Sequence, residues 1–398
     1  MITKTALDGI KIVDLSRMAP GPFCSMMLGD MGADVIKVDA PPTARIIANK
    51  TSNDPQNRKI AATNPLNRNK RSIILDLKKE VGIEVLHQIC RDADIFIEGF
   101  RPGVVNRLGC DYETIKKINP SIIYCSISGY GQTGPYKDLV GHDVNYISIG
   151  GALGLIGTED NRPSIPYNII ADFAAGGMNA AFSIVCALFS RTNTGEGQQI
   201  DISMSDGVTY LLSSISGEYF RSGTVPKPGQ MTLNGGVPYY NVFECEDGKY
   251  ISLGCIEPNF WRNLCLTLGL NKFSDSQHDT EKYAEIVQNL KTIFMTKKRD
   301  EWWDLFRKTK DIAAAPVYDF DEVVGDPHSK ARDMFIQAGT IDGDPITQVG
   351  IGSKLMNTPG SIRTLGRIPG ADSEDILEEI GYSKDEIKLL MGAKAVFS

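Results

Sequence analysis

Histidine is scarce in this chain, with four in 398 residues at positions 87, 142, 278 and 328. The eight cysteines are far apart and include no C-x-x-C pair, so no zinc site, other metal site or dense disulfide framework is expected, and a reducing compartment is favoured. Lys and Arg number 42 against 49 Asp and Glu, mixed along the chain, and the net charge is -7. No basic block is present that would neutralise a run of phosphates, so nucleic acid is not an expected partner.

Signals for export or membrane insertion are also sparse. The opening MITKTALDGIKIVDLS has no apolar signal region and no Arg-rich presequence, and the closing VFS is not a peroxisomal S-K-L signal. We therefore expect a cytoplasmic location, with a peroxisome or mitochondrion as the open alternatives. Residues 173 to 190 carry no charge and reach the lower length limit of a membrane span. The glycines and polar residues within this run favour a buried helix, and we expect no membrane span.

The first 130 residues alternate between strand-like and helix-like segments. Short apolar strands are predicted at IKIVDLS, DVIKVD, RSIILDLK, DIFIEGF and SIIYCSIS, with helix-like stretches between them. This order predicts an α/β fold with a mostly parallel sheet covered by helices, similar to a Rossmann fold. The connection over residues 41–69 is polar, with four prolines and no clear period, and is predicted to be a long loop.

A second domain is predicted after a Gly/Pro-rich segment. We assign residues 1–222 to a large domain and residues 223–326 to a smaller α+β domain. Within the smaller domain, VFECEDGKYISLG is typical of a hairpin turning at Asp247-Gly248, and EPNFWRNLCLTLGL is typical of a helix. Periodicity alone does not assign the segment 327–398 to either domain.

The stretch GYGQTG, residues 129–134, matches half of a dinucleotide-binding fingerprint. It follows the strand SIIYCSIS, but Pro135 and Gly141 interrupt the stretch where the helix should begin. No acidic residue ends a following strand at the required distance. We therefore predict that the large domain has no NAD site.

Several stretches, in order over nearly the whole chain, resemble the family III CoA-transferase and racemase superfamily, also called CaiB/BaiF. They are LDGIKIVDLSRMAPGPFCSMMLGDMGADVIKVD, RSIILDLK, GFRPGV, SGYGQTGPY, IIADFAAGG and GEGQQIDISM. Within it, GHDVNY, ADFAAGG, NGGVPYY and GCIEPNFW are most similar to the α-methylacyl-CoA racemases. The resemblance implies an interlocked homodimer, a large domain to which residues 327–398 return, and an active site between large and small domains. It also implies an acyl-CoA substrate and no cofactor, since CoA is part of the substrate.

Racemisation beside a thioester carbonyl needs two proton-transfer groups on opposite faces of the carbon. Histidine suits this task because its ordinary pKa is near neutrality, and a carboxylate can serve the other face. By the resemblance, His142 and Asp172 take the two catalytic positions, and Glu257 pairs with the imidazole. Asp172 precedes an apolar helix-like stretch, whose N-terminal amides are expected to stabilise charge on the thioester oxygen, with Gly176 and Gly177 allowing close approach.

Each candidate also has a structural interpretation that the residues alone leave open. His142 fits a hydrogen-bonded structural histidine, Asp172 fits a helix N-cap, and Glu257 precedes Pro258 at a probable helix start. The other three histidines match no catalytic position of the family.

Contacts to CoA are predicted on the strand after the 41–69 connection and on two later turns. Cations at Lys70, Arg71 and Arg101 suit phosphate, although a solvated basic turn explains Lys70 and Arg71 equally well. The other substrate or CoA contacts predicted by analogy are Asn69, Ile74, Leu75, Asp76, Leu77, Gly141, Asp143, Asn145 and Tyr146. Racemase relatives tend to carry Arg where this chain has Ala40, which weakens the assignment of phosphate contacts.

Two other functions are consistent with the same resemblance. Transferases of the superfamily use an aspartate at the position of Asp172 as a covalent nucleophile. They generally lack the pair matching His142 and Glu257, and many carry three or four successive glycines where this chain has only Gly235 and Gly236 together. The third alternative is a non-catalytic acyl-CoA-binding protein, which the presence of all three candidate groups disfavours.

Overall fold

A computed structural model describes residues 4–41, 54–157 and 162–397. These residues form two compact units. The first comprises the described parts of Met1–Gly150, Tyr167–Leu211 and Pro327–Ser398, and the second those of Gly151–Pro166 and Leu212–Asp326.

Twelve β-strands lie in the described part of the chain. In chain order they are β1 Lys11–Asp14, β2 Asp34–Asp39, β3 Lys70–Leu75, β4 Ile95–Glu98, β5 Ile123–Ser128, β6 Gln199–Ser203, β7 Tyr240–Glu244, β8 Tyr250–Gly254, β9 Ala314–Pro316, β10 Phe335–Ile341, β11 Asp344–Val349 and β12 Val396–Phe397.

The same residues form sixteen α-helices and one π-helical segment, Ile169–Met178, which runs directly into α7. The α-helices are α1 Pro20–Asp30, α2 Pro55–Thr63, α3 Glu80–Arg91, α4 Val104–Leu108, α5 Tyr112–Ile118, α6 Asp143–Ile149, α7 Asn179–Thr194, α8 Met204–Leu211, α9 Ser213–Ser222, α10 Pro258–Thr267, α11 Tyr283–Phe294, α12 Arg299–Phe306, α13 Phe320–Gly325, α14 Pro327–Ala331, α15 Ser373–Glu379 and α16 Lys384–Gly392.

A seven-stranded sheet forms the centre of the first unit, in the order β12-β3-β2-β1-β4-β5-β6. Strands β1 to β6 pair in parallel, and β12 joins the edge antiparallel to β3. The prediction of a mostly parallel, helix-covered sheet is confirmed. This order reverses direction beside β1, so the carboxyl ends of β1 and β4 lie at the switch point, where α/β proteins usually bind ligands.

Helices cover both faces of this sheet because its strands are apolar on both sides. Val13, Ile73 and Phe96 point into one core with α3, α5, α15 and α16. Ile12, Ile95 and other side chains alternating with these point into the opposite core with α1 and α7. Two-sided burial explains why these strands read as continuous apolar runs rather than as alternating patterns.

The long loop predicted over residues 41–69 is wrong in its second half. Residues 55–63 form α2, where Asp54 accepts the Asn57 N–H at 2.9 Å and Pro55 occupies the first turn. This N-cap and proline stabilise a helix whose polar sequence shows no clear apolar period. Residues 42–53 of this connection lie outside the described residues.

The predicted hairpin of the second unit is present, and it has a third strand. Strands β7 and β8 pair antiparallel around Gly248, whose φ is +71°, and β9 adds to β8. Helices α10, α11 and α12 pack on one face of this sheet around Trp261, Phe294 and Trp302.

The boundaries of the two units differ from the sequence estimate. The main part of the second unit begins at Leu212, not at residue 223, and the unit also includes the described residues 151–157 and 162–166. The helix-like run after β6 is divided at Leu212 into α8 and α9. Its periodicity does not reveal this break.

Candidate active site

His142 lies at the start of α6, after the loop that follows β5. Its backbone is extended, its N–H donates to Oδ1 of Asn145 at 3.0 Å, and its carbonyl accepts the N–H groups of Asn145 and Tyr146. The side chain is exposed. Local hydrogen bonds therefore fix the His142 backbone while the imidazole faces outward.

Asp172 lies in the first turn of the π-helical segment rather than before it, because the segment begins at Ile169. Asn168 precedes the segment, and its Nδ2 donates to Oδ2 of Asp172 at 2.9 Å. π-Helical turns are rare and occur often at functional sites. The interpretation of Asp172 as a plain N-cap is wrong, since Asn168 occupies that position.

Asp143 links the His142 turn to the Asp172 segment. It is 5% exposed, and its Oδ2 accepts the backbone N–H groups of Ala171 and Asp172 at 2.8 and 2.9 Å. Asp143 thus occupies these two N-terminal amides of the segment, and stabilisation of a thioester oxygen by the amides that follow Asp172 stays a prediction. In the described part of the chain, Oδ1 of Asp143 has no hydrogen-bond partner.

Neighbouring side chains in this region alter the pKa values of Asp172 and Tyr146. Partial burial raises the pKa of Asp172 above its ordinary value, and the Asp143 charge raises it further. The Asn168 hydrogen bond and the nearby His142 lower this pKa. Burial also raises the pKa of Tyr146 to about 12, with further contributions from neighbouring Tyr130 and Asp172 and an opposing one from Arg101. His142, Asp172, Tyr146 and Arg101 therefore share one electrostatic neighbourhood in the first unit.

Gly176 and Gly177 allow a close approach, but of protein rather than substrate. A Cβ on Gly177 would lie 2.7 Å from the Pro20 carbonyl oxygen, and one on Gly176 would lie 3.0 Å from Pro20 Cβ. The two glycines therefore let the start of α1 pack directly on the π-helical segment.

Lys70 lies in the core, where the sequence suggested a phosphate contact. Its Nζ donates to the Pro22 carbonyl at 2.9 Å and to Ser25 Oγ at 2.6 Å, and lies 3.4 Å from Oδ2 of Asp14. Burial lowers the pKa of Lys70 to about 8, although the Asp14 charge opposes this shift. The ammonium is therefore engaged within the protein.

Arg71 and Asn69 are also engaged by protein partners. Arg71 pairs with Asp34 at 2.7 Å and Glu379 at 2.6 Å, and Nδ2 of Asn69 donates to Asp30 at 2.8 Å. Ile74 and Leu75 are buried in the sheet, while Asp76 and Leu77 follow it and are half-buried. This strand is built into the fold, and its predicted role in CoA binding stays a prediction.

Arg101 differs from these cations because its side chain is exposed. It follows β4 at the switch point of the sheet. Glu98 at the end of β4 accepts the Phe100 N–H at 2.7 Å, which holds this turn, and burial raises the pKa of Glu98 to about 7. Arg101 is thus exposed, unlike Lys70 and Arg71, and its contact with CoA stays a prediction.

Glu257 lies in the second unit, where it is the N-cap residue of α10 and Pro258 follows in the first turn. Its side chain is exposed. The helix-start interpretation therefore describes its backbone, and its pairing with the imidazole stays a prediction.

Two of the other histidines have structural partners. His87 Nε2 lies 2.8 Å from the Gly109 carbonyl, and His278 Nδ1 lies 3.4 Å from the Tyr239 hydroxyl. His328 lies in α14.

Asn168 is the site residue that sequence reasoning missed. The available signal was its position four residues before Asp172, the spacing at which side chains meet on one helix face. Gly141, Asn145 and Tyr146 lie beside the His142 backbone, and the substrate contacts predicted for them stay predictions.

The second unit contains a cavity of about 1300 Å³, lined by the Gly235-Gly236 turn, strands β7 to β9 and α11. None of the three candidate catalytic residues lines it.

The segment Ile169–Thr194 is long and apolar enough to cross a membrane by length and composition, and 44% of its apolar window is buried in the protein. Buried core helices meet the same criterion, so this gives only weak support for a span.

The sequence and the fold of this chain are similar to those of known proteins. The model of a family described as CoA-transferase family III matches residues 7–372. A human alpha-methylacyl-CoA racemase is 38% identical over 396 residues, 99% of this chain and 98% of the human one. A succinate–glutarate CoA-transferase of Agrobacterium fabrum is 31% identical over 373 residues, 89% and 91% of the two chains. The crystal structure of a CaiB/BaiF family protein from Brucella suis has a TM-score of 0.79 at 29% identity, covering 95% of this chain and 100% of that one. The chain therefore belongs to CoA-transferase family III.

Proposed function

We propose that the protein is a racemase that epimerises the 2-position of 2-methyl-branched acyl-CoA thioesters. The observation that carries this proposal is the Asp143 carboxylate, which joins the turn of His142 to the segment of Asp172. Two groups suited to proton transfer are thereby held in one electrostatic neighbourhood of the first unit. A two-base reaction needs such a pair, whereas a simple binding protein does not.

In this mechanism one group removes the proton from C2 and the other returns a proton to the opposite face. The C–H electron pair moves onto the thioester carbonyl, which gives an enolate-like intermediate. For one epimer the Asp172 carboxylate takes the proton and the His142 imidazolium donates one, and for the other epimer the roles reverse. The raised pKa of Asp172 brings its carboxyl closer to the neutral range, where a group can both take and return a proton.

Asn168 determines which oxygen of Asp172 reacts. Its amide donates to Oδ2, so we assign proton transfer to Oδ1. The mechanism requires neither a metal nor an organic cofactor, and CoA enters only as part of the substrate.

A family III CoA-transferase is the second candidate, because the Agrobacterium fabrum relative is named as a CoA-transferase and the family model is that of CoA-transferase family III. A transferase would use Asp172 as a nucleophile that forms covalent intermediates with the acyl group and then with CoA. That chemistry gives no role to His142, which shares the site. The short Gly235-Gly236 pair also departs from the longer glycine run of many transferases.

Proton NMR distinguishes the two reactions. The protein is incubated in deuterated water with one epimer of a 2-methylacyl-CoA and no carboxylic acid. We expect loss of the C2 proton signal and formation of the other epimer. Transfer of CoA to an added carboxylic acid, without deuterium at C2, would instead establish the transferase.

We also propose that two copies associate, as the interlocked homodimer of the resemblance implies. Helix α7 and the residue before it carry an apolar stripe that its own unit leaves open. Met178, Phe182, Val185 and Phe189 recur at helical spacing and are 45% to 72% exposed. A continuous stripe of this kind marks a surface that is covered in the working protein.

Light scattering of Phe182→Glu tests this association. The unchanged protein should have twice the mass of one chain, and the variant should shift toward one chain. Leu389→Glu, which places the same charge at an exposed apolar position on α16, is the control and should remain dimeric. A monomeric unchanged protein, or one extracted only with detergent, would contradict the proposal.

A further inference from the structure

Tyr146 holds the backbone on both sides of His142. Its phenol hydroxyl donates to the Gly141 carbonyl at 2.5 Å, and its backbone N–H donates to the His142 carbonyl at 3.2 Å. The residue is 8% exposed. One buried side chain thus fixes the peptide before the candidate base, and its backbone fixes the peptide after it.

The Tyr146 ring lies so close to the backbone at positions 129 and 141 that only glycine fits at either position. A Cβ on Gly129 would lie 2.3 Å from Cε1 of Tyr146, and one on Gly141 would lie 2.8 Å from the same atom. Contacts this short are not tolerated, so any other residue at position 129 would displace the ring. Packing on Tyr146 therefore accounts for the first glycine of GYGQTG.

The rest of that loop also serves to position Tyr146. Tyr130 packs edge-to-face on the Tyr146 ring, with ring centres 5.2 Å apart. The amide N–H of Gln132 donates to Asp201 on β6 at 2.9 Å, which anchors the loop to the sheet. No helix begins here, and the loop instead leads from β5 to His142.

The hydroxyl remains a donor under working conditions. Because burial, Tyr130 and Asp172 raise the pKa of Tyr146 to about 12, the phenol stays protonated at neutral pH. A hydroxyl committed to the Gly141 carbonyl cannot donate the same proton to a substrate.

We propose that Tyr146 is a positioning residue for His142 rather than a substrate contact. Its hydrogen bond sets the orientation of the 141–142 peptide and hence the face of the substrate that the imidazole reaches. The inference rests on the proposed function for its effect on catalysis, but the contact can be tested without it.

The test compares Tyr146→Phe with a matched tyrosine elsewhere in the first unit. Tyr124 is 1% exposed and its hydroxyl also donates to a backbone carbonyl, that of Cys110 at 2.9 Å. Both variants lose one buried hydroxyl-to-carbonyl bond, so their losses of stability should be similar. Only Tyr146→Phe should affect His142.

Two measurements are made on each variant. The first is deuterium exchange at C2 of each epimer separately. Tyr146→Phe should slow exchange of the epimer that depends on His142 by about 10- to 100-fold, as small misplacements of reacting groups do, and leave the other epimer within about twofold. The second is the NMR signal of His142, one of only four histidines, assigned with His142→Ala. It should shift in Tyr146→Phe and not in Tyr124→Phe.

The outcomes separate this inference from the proposed function. Equal slowing of both epimers, or an unmoved His142 signal, would overturn the positioning role. A protein that exchanges neither epimer would contradict the proposed function, and the His142 signal would then still decide the inference. Gly129→Ala is the second variant, and it should shift the same signal by displacing the Tyr146 ring.

Discussion

The Oδ2 atom of Asp143 lies 2.9 Å from the backbone nitrogen of Asp172 and accepts its N–H. Asp143 follows His142 directly in the sequence, so this hydrogen bond, between residues 29 positions apart, connects the His142 turn to Asp172. The carboxylate is buried and acts as a cap for the π-helical segment. Catalysis and local stability are therefore expected to depend on the same side chain.

Asp143→Ala should destabilise the protein and slow both directions of racemisation. The change leaves the N–H groups of Ala171 and Asp172 without their acceptor, at a cost of about 1–3 kcal/mol. Urea unfolding and C2 exchange measure the two effects. Asp138→Ala, an exposed aspartate in the same loop, is the control and should change neither. Full activity in a destabilised Asp143→Ala protein would show that the link does not position the bases.

Asn168→Ala should move the pH dependence of the Asp172 reaction upward. The Asn168 hydrogen bond stabilises the carboxylate form and lowers the pKa of Asp172, so its removal raises that pKa. Exchange that begins with the Asp172 carboxylate is lost as pH falls through the pKa, and this loss should therefore occur at higher pH in the variant. Exchange rates against pH, measured on each epimer, check this. A downward shift, or the same shift for both epimers, would contradict it.

Lys70 and Arg101 should behave differently when replaced. Lys70→Met leaves Asp14 buried without its cation, which should cost roughly 3–5 kcal/mol of stability. Arg101→Gln should leave the melting temperature within a few degrees and weaken CoA binding, measured by calorimetry. Arg107→Gln, an exposed arginine on α4, is the control for lost surface charge. If Lys70→Met were stable and bound CoA poorly, the ammonium would be a phosphate contact after all.

Much of the central sheet was predictable because each strand is a short apolar run between helix-like segments. The edge strand β12 was not, since it has two residues and pairs with β3 from the far end of the chain. Helix α2 was missed because capping by Asp54 and Pro55 stabilises it, while its sequence has no apolar face. Short and polar elements depend on partners that local patterns do not reveal.

The residues of the candidate site were likewise predictable only in part. His142 and Asp172 were identified through the family resemblance, and the structure places them in one neighbourhood. Neither a phosphate contact nor a solvated turn predicts the buried setting of Lys70, because the sequence does not show that Asp14, 56 residues earlier, is its partner. Asn168 is not predicted as a site residue from the sequence, because its neutral amide carries no charge and does not titrate.

The central claim is that His142 and Asp172 each transfer the proton on one face of C2. The most direct test measures deuterium exchange of the two epimers separately in His142→Ala and Asp172→Ala, with thermal melting of both variants. We predict that each variant stays folded, loses racemisation, and retains exchange of one epimer only, with opposite epimers for the two variants. A folded His142→Ala protein that racemises at the full rate, or one that has lost its cooperative melting transition, would show that the histidine is structural and would contradict the two-base mechanism.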